Sequence, residues 1–307
     1  MILTVTLNPS VDHTLFVGTI VLHDTNRVQR TERDAGGKGV NLSRVVAELG
    51  GKTTATGFLG GGPGALIRQV LNDQGVLNEF TDVAGETRIN FSIESGDGPP
   101  TSFNEQGPEI SPGELEAFRT RLKGHLMEAE WLTLGGSLPK GVPTSLYAEI
   151  VRAAHEANVK VLLDADGEPM KLGLVERPDL IKPNNDEAAR LLGRPVETLE
   201  EARAAAMELH QQIPMVVVSR GEDGAVLAYD GKVFNGIAPK VEVKSTIGSG
   251  DSLLAGMLWS LGRGDAPEVA LKWGIACGAA TATTSGAEIA RRPVIERLLA
   301  EVRIERL

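Results

Sequence analysis

The chain has a single cysteine, Cys277, among 307 residues. No intramolecular disulfide can form, and the thiol sits in an apolar, small-residue stretch of helical character. That argues for a reducing, intracellular setting and against a role for the thiol. A run of about eighteen apolar residues is absent, as is a basic region ahead of the apolar N-terminus, so neither a membrane-spanning helix nor a secretory signal is expected and the location read is cytoplasmic. No lysine- or arginine-rich tract interrupts a chain whose net charge is −10. A broad cationic face for nucleic acid or an anionic membrane is therefore excluded, and any anionic ligand must be held locally. His13, His23, His125, His155 and His210 are scattered without metal-ligand spacing, so a histidine metal site is not expected. Internal repeats and low-complexity linkers are missing too.

What is present is apolar content of 41%, enough to bury a large core. Apolar runs of strand length recur at 2–7, 53–58, 131–134, 159–163, 180–181 and 215–218. They are continuous rather than alternating, as strands covered on both faces of a parallel sheet are. Between them, 40–49, 65–71, 112–126, 143–157, 187–192 and 199–209 have helical spacing and good helix formers. Residues 226–229 and 232–234 flank Asp230-Gly231, a hairpin signal, and from 252 onward the chain reads as mostly helical. Two segments, 11–33 and 86–106, break this rhythm. In the second, Arg88 to Glu94 alternates, and Gly96-Asp97-Gly98-Pro99-Pro100 supplies a turn. Alternation means one dry face and one wet face. The expectation is one α/β domain over 1–307 with these segments inserted as a small β lid, the alternative being an antiparallel edge of the main sheet.

Gly248-Ser249-Gly250-Asp251 stands directly before the apolar run 252–261. Glycines let backbone approach a ligand, and the first N–H groups of a helix form an anion-binding cup. A carboxylate beside a bound phosphoryl group can take the proton from an attacking hydroxyl. The competing reading is that Asp251 merely caps the helix. In Asp34-Ala35-Gly36-Gly37-Lys38-Gly39-Val40-Asn41, Lys38 can neutralise a phosphate and Asn41 can both donate to and accept from a hydroxyl. Gly39 after Lys38 excludes a Walker loop. Lys182-Pro183-Asn184-Asn185-Asp186-Glu187 ends a strand and starts a helix. Asn184 and Glu187 suit a capping box, and equally Mg²⁺ held through water, with Lys182 on phosphate oxygens. Asp12 can accept sugar hydroxyl hydrogens, and the Arg88 fork matches a phosphate. Ser219-Arg220-Gly221-Glu222-Asp223-Gly224 is either a turn or a nucleotide-lining loop. A rival signal is Gly60-Gly61-Gly62-Pro63-Gly64-Ala65 with Asp82 further on, a loose dinucleotide fingerprint in which Pro63 removes one needed N–H.

Taken in order, Thr6-Leu7-Asn8-Pro9-Ser10-Val11-Asp12, Gly36-Gly37-Lys38-Gly39-Val40-Asn41, Thr87-Arg88-Ile89-Asn90, Gly135-Gly136-Ser137-Leu138-Pro139, Lys182-Pro183-Asn184 with Glu187, and Gly248-Ser249-Gly250-Asp251 run nearly end to end. This series resembles the ribokinase-like carbohydrate kinases, specifically their phosphofructokinase-B branch. Thr87-Arg88-Ile89-Asn90 and Gly107-Pro108-Glu109-Ile110-Ser111 suit the ketohexose-phosphate kinases of that branch. The resemblance implies a doubly wound, mostly parallel sheet flanked by helices, with a β lid that closes on sugar and pairs two subunits into a homodimer. It implies ATP and Mg²⁺, and a phosphorylated ketohexose as acceptor. Fructose 1-phosphate, giving fructose 1,6-bisphosphate, comes first; tagatose 6-phosphate and fructose 6-phosphate are the alternatives. A non-catalytic sugar-phosphate-binding regulator is the reading from another class. Carried over by position, Asp251 is the base, and the Gly248, Ser249 and Gly250 amides form the anion hole. Asp12, Gly37, Asn41, Asn90 and Ser137 would face the sugar, and Lys38 and Arg88 its phosphate. Lys182, Asn184 and Glu187 would serve ATP phosphates and Mg²⁺, and Ser219 and Gly221 would line the nucleotide pocket. Ser249 stands where much of the family has alanine, a change that keeps the backbone amide. Arg27 lies near a phosphate-binding lysine position of some relatives.

Overall fold

The structure, a computed structural model, describes residues 1–96, 98 and 100–307. The chain begins with β1 (Ile2–Thr6), β2 (Ser10–Phe16), β3 (Arg30–Gly36), α1 (Lys38–Glu48), β4 (Thr53–Leu59), α2 (Gly61–Asp73), β5 (Leu77–Asn78) and β6 (Thr81–Asp82). It continues through β7 (Arg88–Glu94), β8 (Thr101–Asn104), α3 (Pro112–Leu126), β9 (Trp131–Gly135), α4 (Leu146–Glu156), β10 (Lys160–Asp164) and α5 (Gly167–Val175). Then come β11 (Leu180–Ile181), α6 (Asn185–Leu192), α7 (Leu199–His210), β12 (Met215–Ser219), a 3₁₀ turn (Gly221–Asp223), β13 (Ala225–Tyr229) and β14 (Lys232–Ile237). The last elements are α8 (Ser249–Leu261), α9 (Pro267–Thr281), α10 (Arg292–Leu299) and β15 (Arg303–Arg306).

The large sheet has the order β15-β14-β13-β12-β11-β10-β9-β1-β4-β5, with β6 beside β4. Pairing is parallel from β12 across to β5 and β6, and antiparallel among β12, β13, β14 and β15. The continuous apolar runs are explained by the period of two. In β1, β9, β10 and β12, residues such as Leu3, Val5, Leu132, Leu134, Val161, Leu163, Val216 and Val218 face one core with α3, α4, α5, α6 and α7. Their neighbours Ile2, Trp131, Leu162 and Val217 face another core with α1, α8, α9 and α10. Both faces are dry, so both positions of the repeat must be apolar. Each fully buried leucine or valine side chain contributes roughly 1.5–3 kcal/mol relative to exposure.

The two irregular segments form a separate four-stranded sheet, order β3-β2-β7-β8, and not an edge of the main one. β2 and β7 run parallel with Ser10 opposite Arg88 and Asp12 opposite Asn90. That register puts Ser10, Asp12, Arg88 and Asn90 on one face and Val11, His13, Ile89 and Phe91 on the other. All seven residues of β7 are half-buried, so the alternation marks two faces without giving either a full cover.

Three details depart from expectation. The end of the chain is mostly helical, as expected, but adds one strand that was not read, β15, which pairs with β14. Helix α2 begins at Gly61, earlier than read, because Pro63 is tolerated in a first turn. Its start is occupied by its own chain: Gly60 N–H donates to Thr87 Oγ1 at 3.0 Å, and Thr87 N–H donates to Gly60 O at 3.0 Å. A side chain at Gly61 would meet Glu86 Oε1 at 2.9 Å, so a carboxylate stands where a pyrophosphate would bind, which argues against the dinucleotide reading. The expected turn at 96–100 includes Asp97 and Pro99, which lie outside the described residues.

Candidate active site

The carboxyl ends of the parallel strands converge on the N-termini of α1 and α8, the place where open α/β sheets bind ligands. Helix α8 has Gly248 as its N-cap, in the left-handed conformation with φ of 73°, and no side chain caps the helix start. Ser249 N–H donates to Thr246 O at 3.3 Å, and the neighbouring first-turn amides are left for a ligand. Asp251 lies in the first turn, beyond the cap position, and its Oδ2 accepts a hydrogen bond from Asn41 Nδ2 at 2.9 Å. The capping interpretation of Asp251 fails on this geometry. Burial, and then the charge of Asp164, push the Asp251 carboxyl up to about 6, against the opposing pull of Lys38, Asn41 and Lys182.

Asn41 and Lys38 share α1, which enters the site through Gly37 at φ of 118°. A side chain at Gly37 would meet Thr6 Cγ2 at 2.7 Å, so close approach and positive φ both demand glycine there. Val40 N–H donates to Thr6 Oγ1 at 3.1 Å and fixes the start of α1 to the end of β1. Lys38 Nζ lies 2.9 Å from Asp164 Oδ2, and Lys182 Nζ lies 3.9 Å from Asp164 Oδ1. Burial opposes the Lys38 charge, but Asp164 and Asp251 outweigh it and raise its pKa. Burial likewise opposes the Asp164 charge, and Lys182 and Lys38 outweigh it and hold that carboxyl below its usual value. The Lys182 ammonium also approaches α8: a side chain at Gly250 would come within 3.3 Å of it. Asp164 was not anticipated from sequence. An acid closing the buried run Val161-Leu162-Leu163, ahead of Gly167, was the available signal.

A second network lies on the polar face of the small sheet. Asp12 Oδ1 accepts from Ser10 Oγ at 2.8 Å and from Asn90 Nδ2 at 3.0 Å. Burial pushes the Asp12 carboxyl up, while Ser10, Asn90 and the Arg88 charge oppose that shift. Arg88 donates through Nε to Asn8 O at 3.2 Å and through Nη1 to Glu105 O at 3.1 Å. Asn8 Nδ2 donates in turn to Ser137 Oγ at 3.2 Å. The loop bearing Ser137 is held by the buried Tyr147 hydroxyl, which donates to Gly135 O at 2.9 Å. The expected residues therefore separate into two sets: Asp12, Arg88, Asn90 and Ser137 in this network, and Lys38, Asn41, Lys182 and Asp251 around Asp164. Lys38, read from sequence as a partner of Arg88, has its ion pair in the second set. Arg27 lies in the exposed loop between β2 and β3.

On the far side of the cleft, Asn184 caps α6 and forms a reciprocal box with Glu187: Glu187 N–H donates to Asn184 Oδ1, and Asn184 N–H to Glu187 Oε2, both at 2.8 Å. Asn184 forms an isolated parallel bridge with Ser219 at the end of β12, and Gly221 opens the 3₁₀ turn beyond it at φ of 59°. Asp164, Asp166, Lys182 and Glu187 line one small cavity beside this edge. The Ser249 hydroxyl is buried with no hydrogen-bond partner.

The arrangement unites a helix start without a side-chain cap, a carboxylate in its first turn and two ammonium groups that meet on Asp164, beside a separate polar network on the small sheet. A family model described as pfkB family carbohydrate kinase matches residues 5–293. The chain belongs to the pfkB family of carbohydrate kinases and is an ATP-dependent sugar-phosphate kinase. It is 34% identical over 308 residues to the 1-phosphofructokinase of Bacillus subtilis, covering 100% of both chains. Against the tagatose-6-phosphate kinase of Staphylococcus epidermidis it is 38% identical over 261 residues, 84% of each chain. Among solved structures, phosphofructokinase-2 from Escherichia coli in complex with substrates and products superposes with a TM-score of 0.91 at 27% identity, covering 98% of each chain.

Proposed function

We propose that the protein transfers the terminal phosphoryl group of ATP to a hydroxyl of a ketohexose phosphate, with fructose 1-phosphate as the acceptor and fructose 1,6-bisphosphate as the product. The observation that carries this reading is Asp251: a carboxylate raised to about 6 and oriented by Asn41 beside an uncapped helix start. Asp251 takes the acceptor proton, late in a loose transition state, so a base of modest strength suffices. The amides of Gly248 and Gly250 stabilise the charge on the phosphoryl oxygens, joined by that of Ser249 when it turns from Thr246 O to the ligand. Asp12, Gly37, Asn41, Asn90 and Ser137 orient the sugar, and Arg88 holds the phosphate it already carries, with Lys38 the second cation. Lys182 with Ser219 and Gly221 serves the nucleotide.

Mg²⁺ fits the donor side. Asp164, Asp166 and Glu187 line one small cavity with Lys182, and Mg²⁺ keeps most of its waters, so a few carboxylates suit it. Asn184 and Glu187 would hold it through water, in the cavity wall that Glu187 shares with Asp164 and Asp166. When bound it neutralises phosphate charge.

The similarity to tagatose-6-phosphate kinase supports tagatose 6-phosphate as a second acceptor, and fructose 6-phosphate is the third. The chain acts as one kinase domain with the small sheet as lid. Val21, Leu22, Val28 and Phe103 are exposed on or beside that sheet, which supports a homodimer formed through it. A buried, unpaired Cys277 supports a cytoplasmic setting. A regulator without catalysis would have no use for Asp251 in this state. The test is ADP release measured over a panel of ketohexose phosphates. Turnover highest with fructose 1-phosphate is expected; turnover only with an unphosphorylated sugar, or none, would overturn the reading.

A further inference from the structure

Asp164 lies at the end of β10 with its side chain buried, and it meets two cations from different elements. Lys38 comes from α1 on one side at 2.9 Å, and Lys182 follows β11 on the other at 3.9 Å. Lys182 in turn approaches Gly250 in the helix start that carries Asp251. A buried carboxylate without such partners would be costly; here it is held as the anion because both cations converge on it. Lysine stems are flexible, and two ammonium groups facing one cleft repel each other, so their common anion decides where both point.

We propose that Asp164 is a positioning residue: it aims the Lys38 and Lys182 ammonium groups at the phosphoryl group in transit and keeps a negative charge beside Asp251. The proposal rests on the phosphotransfer reading above. The groups facing Asp251 are Lys38 and Asn41 on α1, Asp164 on β10 and Lys182 after β11, with Glu187 on α6 acting on Lys38. Removing the Asp164 charge leaves the two cations unopposed, so Asp251 should release its proton at lower pH.

The test compares wild type, Asp164→Asn and Lys38→Met in kcat and KM against pH, alongside a ¹³C NMR titration of the Asp251 carboxyl in the ligand-free proteins. Asp164→Asn is expected to lower kcat by at least about tenfold and to move both the acid limb and the carboxyl titration to lower pH. Lys38→Met is expected to move them to higher pH, and it covers the case in which Asp164→Asn does not fold. A loss of activity with neither titration moved, or unchanged kcat in Asp164→Asn, would overturn the proposal. Absence of turnover in wild type would instead overturn the phosphotransfer reading.

Discussion

At the scale of single residues, the proposed reaction turns on the proton of Asp251. Burial and the neighbouring Asp164 raise its pKa to about 6, so the basic form that accepts a proton exists above that value and disappears below it. We expect kcat to rise with pH through an acid limb near pH 6 and then level off, read from a pH series at saturating substrates; a limb near the ordinary aspartate value of about 3.9 would mean that the cleft does not shield the group. Arg88 makes a different prediction, because its contacts lie in the network with Asp12, Asn8 and Glu105 and away from Asp251. Arg88→Ala should raise KM for a phosphorylated ketohexose far more than for the bare sugar, by about tenfold or more for loss of a charge-assisted pair. Equal effects would remove its phosphate role. Most of these side chains were legible because each belongs to a short motif with a chemical reason. Asp164 was not, since one acid at the end of an apolar strand looks like any strand terminus until Lys38 and Lys182 are seen to meet on it.

At the scale of elements, α8 and its glycine cap matter most. Gly248 holds a left-handed φ of 73°, where a residue with a Cβ is strained by roughly 1–2 kcal/mol. Gly248→Ala should therefore lower kcat by about tenfold or more through a displaced helix start, with little change in KM for the sugar phosphate; steady-state kinetics separate the two, and unchanged kcat would deny the helix start its role. The strands of the main sheet were legible because continuous apolar runs have one physical cause, a dry surface on each side. Helix α3 was legible to the residue: Ser111 and Glu114 form the capping box at its start, with Pro112 in the first turn. Less was visible where local pattern and tertiary context disagree. The glycines at 60–64 look like a loop, yet all but the first belong to α2, and the Gly60 amide meets Thr87 of its own chain. The terminal Arg303–Arg306 strand carries an alternation too short to stand out, and only the partner β14 makes it a strand.

At the scale of the whole molecule, an acidic chain with net charge −10 has to bind two polyanions, and it does so with few cations set where strands end and helices begin. In the proposed reaction Arg88 serves the sugar phosphate and Lys182 the nucleotide, with Lys38 and Asp251 between the polar face of the small sheet and the strand ends of the large one. On that proposal the large sheet and the small one supply separate halves of a single reaction, and Asp251 is where the halves meet. The most direct measurement is kcat for Asp251→Asn with ATP and fructose 1-phosphate, taken beside calorimetric binding of the sugar phosphate. A loss of about two or more orders of magnitude in kcat with binding nearly intact is expected. A rate close to that of wild type would contradict it.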